Sequence, residues 1–309
     1  MTRREYLDET VLNALALLSS APLPQLDFEK ADRYLVVGSG NAFAVGQILF
    51  RGKDAIFADE GTYEEEAGRL GPDAAAIVIS ASGGKHSPDI VRNLRKRFSR
   101  VYLLTCDPSS EAATLAAPHV IVTPCKEEPY TYNVSTYLGM ILARTREDAG
   151  KIQSHIQQTV EEEISKFEDL TKSSGPSSAE SLSPLARFKA FYLLVDSRFE
   201  AHRAMFVTKF DELFGPHLNG RCYTPGQTMH AKTLVPWDRE LFIGLGVRNT
   251  TFGAPEARLN ITLPDDASDG AMMATGYYVI GRLQKSSPPW YFENVSQYRE
   301  FQQRLFGAT

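Results

Sequence analysis

Cysteine is scarce: only Cys106, Cys125 and Cys222 occur in 309 residues. Three thiols, odd in number and widely spaced, suggest neither a disulfide framework nor a zinc site, so no metal is expected. No apolar run approaches the roughly 18 residues that a bilayer span requires. No signal peptide opens the chain, so a cytoplasmic protein with no membrane partner is expected, its sequons at Asn133, Asn249, Asn260 and Asn294 idle. Basic charge is also in deficit, with 33 Lys and Arg against 38 Asp and Glu and a net charge of −5. Such a chain carries no general basic field to hold nucleic acid. Arg92, Arg95, Lys96, Arg97 and Arg100 do cluster, as the solvated face of one helix in the commoner meaning and as a local contribution beside an anionic ligand in the rarer one.

What is present is an ordinary globular composition, 43% hydrophobic and 23% charged, with room for about two domains. An amphipathic helix is expected over Arg4 to Leu18, with Leu7, Val11, Ala14, Leu15 and Leu18 at helical spacing. Strands at Arg33–Val37, Ala55–Ala58, Ala74–Ile79, Val101–Thr105 and His119–Val122 then alternate with helices, which predicts a parallel, doubly wound α/β sheet. A polar helical run from Asp148 to Thr171 leads into KSSGPSSAESLSP (172–184), a linker by composition.

After the linker the pattern restarts. AFYLLVDS parallels RYLVVGSG, ELFIGLG parallels AAIVISASG and LNITLP parallels HVIVTP, in the same order and between about 140 and 165 residues apart. A tandem repeat of one fold follows, the second copy shortened because only GVRNTTFGAPEAR separates its last two strands. The expected divisions are an N-terminal helix over 1–27, a first domain over 28–150, helix and linker over 151–184, and a second domain with C-terminal helix over 185–309.

The first copy is organised around IVISASGGKHSPD, from Ile77 to Asp89. A wholly apolar strand delivers a loop in which Gly83 and Gly84 let the backbone approach a ligand and Ser80, Ser82 and Ser87 offer hydroxyls. Ser87 is expected as N-cap and Pro88 as first residue of the next helix, whose free N–H groups and dipole favour an anion, a phosphate best of all. For a bare Ser-Gly loop, an ordinary strand-to-helix turn is the commoner meaning. A rival motif is Gly38-Ser39-Gly40 with Asp59 at the end of the next strand, a partial dinucleotide fingerprint. Its third glycine position is Phe43, which argues against NAD.

In the second copy, Lys209 and Glu212 of FVTKFDELF sit three apart and therefore on one helix face, while His230 stands on a separate element. Glutamate and histidine together suit proton transfer at a sugar carbon coupled to ring opening, although a surface ion pair and a structural histidine are the commoner meanings.

Taken together, GSGNA, SASGG, NVST, KFDE and GQTMH resemble the sugar isomerase (SIS) domain family, in particular the tandem-SIS isomerase part of glucosamine-6-phosphate synthase and related phosphosugar isomerases, deaminases and deglycases. The resemblance covers about Ala31 to Gln284 and implies two flavodoxin-like, three-layer αβα domains. It implies that Ser80, Ala81, Ser82 and Gly83 hold a sugar phosphate, with Lys85 where the family has threonine and Ser87 supplying a hydroxyl two residues on. It further implies that Gly40 and Asn41 belong to a second substrate loop, in which Asn41 and Ala42 replace a hydroxyl residue and a serine. Ser135 would touch the sugar, and the family's glutamate upstream of it is displaced to Glu127 or Glu128. Glu212 would be the general base beside Lys209, and His230 the ring-opening acid/base, with Gln227 replacing a glutamate and Ala231 a glycine. A homodimer and no cofactor are implied. Neither a glutaminase domain nor the family's C-terminal lysine tail is seen in the sequence, so amide-nitrogen transfer is not expected. Isomerisation, deamination or deglycation of a phosphosugar remains, and the alternative is a non-catalytic SIS protein that senses a sugar phosphate.

Overall fold

The structure, a computed structural model, describes residues 4–173, 184–230 and 235–306. The middle of the expected linker, 174–183, and Ala231 lie outside the described residues. The elements run α1 (Leu7–Ser20), β1 (Tyr34–Val37), α2 (Asn41–Leu49), β2 (Ala55–Ala58), α3 (Tyr63–Gly68), β3 (Ala75–Ile79), α4 (Ser87–Arg95), β4 (Val101–Thr105), α5 (Glu111–Ala116), β5 (Val120–Val122), α6 (Val134–Thr145) and α7 (Ala149–His155). A π-type turn, Ile156–Val160, joins α7 to α8 (Glu161–Ser173). Then follow β6 (Ala190–Val195), α9 (His202–Phe214), β7 (Asn219–Tyr223), α10 (Pro225–His230), β8 (Glu240–Leu245), β9 (Arg258–Ile261), α11 (Asp269–Lys285) and α12 (Trp290–Phe306). The chain divides into two compact units, one of Leu17–Arg146 with Ser296–Thr309, the other of Met1–Ala16 with Glu147–Val295.

In the first unit five parallel strands take the order β2-β1-β3-β4-β5. Every residue of β1, β3 and β4 is buried, as expected of central strands covered on both faces. Alternation divides them between two layers. Leu35, Val37, Ala76, Val78 and Leu103 join the core with Tyr63 and Ala67 of α3, Ile90, Val91 and Leu94 of α4, and Ala112 of α5. On the opposite face α2 lies so close to the sheet that a Cβ on Gly46 would fall 2.7 Å from Val36 Cγ1.

The second unit has four parallel strands in the order β7-β6-β8-β9. The expected shortening is present: β8 passes to β9 through a turn with one short 3-10 segment, Pro255–Ala257, and no fifth strand follows among the described residues. The pairing of LNITLP with HVIVTP is corrected, because β9 lies against β8 as β4 lies against β3, so its positional counterpart is β4. Two elements escape the sequence reading. Asn219–Tyr223 is strand β7, carried by pairing with β6 in spite of its Asn, Gly and Arg. Asp269–Lys285 is helix α11, buried along nearly its whole length and therefore without an amphipathic signature.

The basic cluster on and after α4 is solvated as expected, and also staples carbonyls. Arg95 donates to Leu115 and Ala117 O, Arg97 to Gly68 and Leu70 O, and Arg100 to Lys30 and Asp73 O.

Candidate functional site

In the first unit β1 and β3 are neighbours, yet β1 feeds α2 on one face and β3 feeds α4 on the other. A crevice opens at such a switch point, outside the carboxyl ends of the strands, and both sequence-predicted loops lie at it.

The loop after β3 is fixed from below. Ser80 N–H donates to Leu104 O, and Ala81 O accepts from Cys106 N–H at 2.9 Å and from the Thr105 hydroxyl at 2.8 Å. In a trans peptide the following N–H points the opposite way, so that of Ser82 is turned from β4. Among the described residues the N–H groups of Ser82 and Gly83 meet no acceptor. Gly83 has φ +62°, and a Cβ there would fall 2.2 Å from Ser110 Oγ, so position and space both demand glycine. Gly84 N–H reaches Ser82 Oγ at 3.3 Å.

The helix start differs by one residue from the expected one. Ser87 is the first residue of α4, buried, with its N–H on Gly84 O, and His86 holds the N-cap position. Lys85, at φ +52°, extends to the C-terminal helix, where its Nζ donates to Gln302 Oε1 at 2.7 Å, and Gln302 also takes the Tyr130 hydroxyl.

The loop after β1 places Gly40 at φ +55° and Asn41 as the first residue of α2. Asn41 is 7% exposed, and its Oδ1 is buried without a hydrogen-bond partner. Phe43 sits edge-on against Phe57 of β2, and the close approach of α2 to the sheet comes one turn later, at Gly46. Asp59 is occupied locally. Its carboxylate accepts from the Thr62 hydroxyl and from the N–H groups of Gly61 and Thr62, and these bonds hold it below the usual carboxylate range.

At the start of α6 the displaced glutamate is Glu128. Its two oxygens take Val134 N–H at 2.5 Å and Ser135 N–H at 2.7 Å, so a carboxylate of the chain itself fills this helix N-terminus. Ser135 is buried, and its Oγ accepts from Lys126 N–H at 3.4 Å.

In the second unit the Lys209–Glu212 pair is no surface pair. Lys209 is 0% exposed, its Nζ lies 2.6 Å from Glu212 Oε2 and 5.6 Å from the centre of the Tyr277 ring, and Glu212 stays partly open to solvent. A buried ammonium requires its counter-charge, and Glu212 supplies it.

Gln227 is engaged elsewhere. Thr224 Oγ1 accepts Gln227 N–H while Gln227 Oε1 accepts Thr224 N–H, a capping box around α10, and Gln227 Nε2 donates to Glu200 at 2.5 Å. The signature T-x-x-Q was legible in the sequence. His230, last residue of α10, is exposed, and no hydrogen bond or ion pair joins it to Lys209 or Glu212 among the described residues. Among those residues no cluster of three or more His, Cys, Asp or Glu is arranged to hold a metal ion, and no helix is long and apolar enough to cross a membrane.

Comparison with known proteins places the fold. No family model matches the sequence, and no curated protein matches it. Solved structures do match. Glucosamine-6-phosphate deaminase from Thermotoga maritima aligns with a TM-score of 0.59 at 16% identity, over 90% of this chain and 92% of that one. The C-terminal domain of glucosamine-fructose-6-phosphate aminotransferase from Francisella tularensis gives 0.59 at 12%, over 90% and 92%. Tagatose-6-phosphate ketose/aldose isomerase from Escherichia coli gives 0.55 at 13%, over 92% and 89%. At these identities the likeness establishes architecture. The chain has the tandem sugar isomerase (SIS) fold, two flavodoxin-like domains of which the second is shortened.

Proposed function

We propose that the protein binds a phosphorylated sugar or amino sugar and transforms it by acid–base chemistry, as an aldose–ketose isomerase or as a deaminase or deglycase of an amino-sugar or fructosamine phosphate. The observation that carries this reading is the Ser80–Ser87 loop: it leaves a central strand at a switch point with two open N–H groups, a glycine no other residue can replace, and a helix N-terminus behind it. The solved structures of like fold support it, all three being named for hexose 6-phosphates or their amino derivatives.

In this reading Ser80, Ala81, Ser82, Gly83 and Ser87 hold the phosphate, and Lys85 adds positive charge beside it. Gly40, Asn41 and Ser135 meet the sugar. Glu212, paired with the buried Lys209, moves the carbon-bound proton, and His230 assists ring opening. The active form is a homodimer.

A second reading, a sensor that binds without catalysis, draws on a specific observation. His230 is exposed and meets no hydrogen-bonding residue among those described, while Gln227 is spent on a helix cap. A thermal-shift series of hexose and hexosamine phosphates, followed by proton exchange at C1 and C2 in deuterated water, separates the two. Stabilisation with exchange supports the enzyme, stabilisation without exchange supports the sensor, and no stabilisation by any phosphosugar counts against both.

A further inference from the structure

Cys106 and Cys125 are 19 residues apart in sequence, and the fold brings them together. Cys106 is the first residue beyond β4 and Cys125 the third beyond β5, and the two strands are parallel neighbours with Thr105 opposite Val122. Their ends therefore emerge side by side. The Cys125 thiol donates to the Cys106 carbonyl oxygen at 3.9 Å, which puts the Cys125 sulfur against the Cys106 residue. Cys125 is exposed and Cys106 half-buried, so small reagents have access to the pair, whereas Cys222 is buried.

We infer that Cys106 and Cys125 form a dithiol modification site that closes to a reversible disulfide under a hydroperoxide. The balance is simple. Cys106 sulfur takes the distal oxygen of the peroxide and becomes a sulfenic acid while an alcohol or water leaves; Cys125 sulfur then attacks that sulfur, its proton leaves with the hydroxyl as water, and a thiol returns both sulfurs to the reduced state. The order follows from the surroundings of Cys125. Partial burial, Cys106, Glu128 and Asp107 push its thiol up to about 12, so it stays protonated and acts second. The site lies at the root of the Ser/Gly loop, since Cys106 N–H holds the Ala81 carbonyl.

The test needs no knowledge of the sugar and is independent of the proposed function. Wild-type protein is treated with hydrogen peroxide and digested without reduction. The expected product is a 106–125 cross-linked peptide lacking two hydrogens, reversed by dithiothreitol, with Cys222 free. Cys125→Ser should instead accumulate a sulfenic acid at Cys106 that a 1,3-diketone traps, and Cys106→Ser should give neither product. An oxidised wild type in which both thiols remain separately alkylatable would overturn the site. Phenylarsine oxide provides a second reading of the reduced pair. Two sulfurs acting as one chelate should bind it about 10²-fold more tightly than either serine variant does. Equal binding by the wild type and both variants would show that the sulfurs do not act together.

Discussion

β3 and β8 occupy the same place, each beside the first strand of its unit, but the chain leaves them in opposite ways. After β3 it forms an open loop and the nine-residue helix α4. After β8 it folds on itself. Arg258 donates to the carbonyls of Thr250, Thr251, Phe252 and Gly253, Asn249 Oδ1 takes the N–H groups of Thr251 and Phe252, and Asn260 Oδ1 takes that of Asn249. Repetition of a fold is therefore not repetition of a site. A phosphate cradle needs unspent donors and a helix start, and the second unit has consumed the former and dispensed with the latter.

Under the proposed function, binding falls to the first half and proton transfer to Lys209 and Glu212 in the second. The largest expected effect is that of Glu212→Gln, which keeps shape and removes the base. Turnover, measured as C1/C2 proton exchange, should fall by about 10²–10⁴ while the thermal shift by the same phosphosugar persists. Wild-type exchange in this variant would end the division of labour between the halves.

Next in size is a matched pair of glycine substitutions. Gly83→Ala forces a side chain into φ +62° and onto Ser110 Oγ, costing about 1–3 kcal/mol, and should weaken phosphosugar binding by at least about tenfold. Gly246→Ala, at φ +66° in the corresponding loop of the second unit, meets the movable end of Leu263 and should lower stability with no change in binding. Calorimetric titration of both variants decides the matter: equal loss of affinity would mean that the two loops are not different in kind.

Smaller again is Arg258→Met. It leaves four carbonyls short of a donor and should cost about 1–3 kcal/mol in urea unfolding with phosphosugar affinity unchanged. A loss of affinity would give the stapled turn a part in binding.

How much of this could be read from the chain differs between the halves for a physical reason. The first unit has strands that are short apolar runs alternating with helices, and a parallel sheet follows from that pattern. In the second unit β7 has little apolar signal and exists because β6 pairs with it, and α11 is buried all round, so periodicity reveals neither. At the candidate site the Ser/Gly loop was legible because backbone demands on glycine appear in sequence. What spacing cannot show is depth or long-range pairing. Lys209 and Glu212 have the separation of a surface pair, yet the ammonium is wholly buried. Glu128 lies six and seven residues before the two N–H groups it caps, and Cys106 and Cys125 meet only because β4 and β5 are neighbours.

The smallest effect concerns charge. In the first unit Arg33–Asp54 and Arg69–Glu65 are exposed pairs, which contribute little. In the second, Glu161 is half-buried between the Tyr278 hydroxyl and Arg282, and Arg282 also lies 3.8 Å from Glu168. Burial alone would raise the pKa of Glu161. The hydrogen bonds from Tyr278 and Arg282 outweigh it, so the carboxyl titrates below its usual 4.5. A carboxylate depressed in the folded state contributes stability above its unfolded pKa and loses it as pH falls through the folded value. Arg282→Met should therefore lower the stability measured by unfolding at pH 7 by less than about 1 kcal/mol, because solvent screens the pair, and the gap to wild type should close below pH 4.5. A gap of the same size at pH 3 and pH 7 would mean that Arg282 acts through packing, and would leave the second unit no more pH-sensitive than the first.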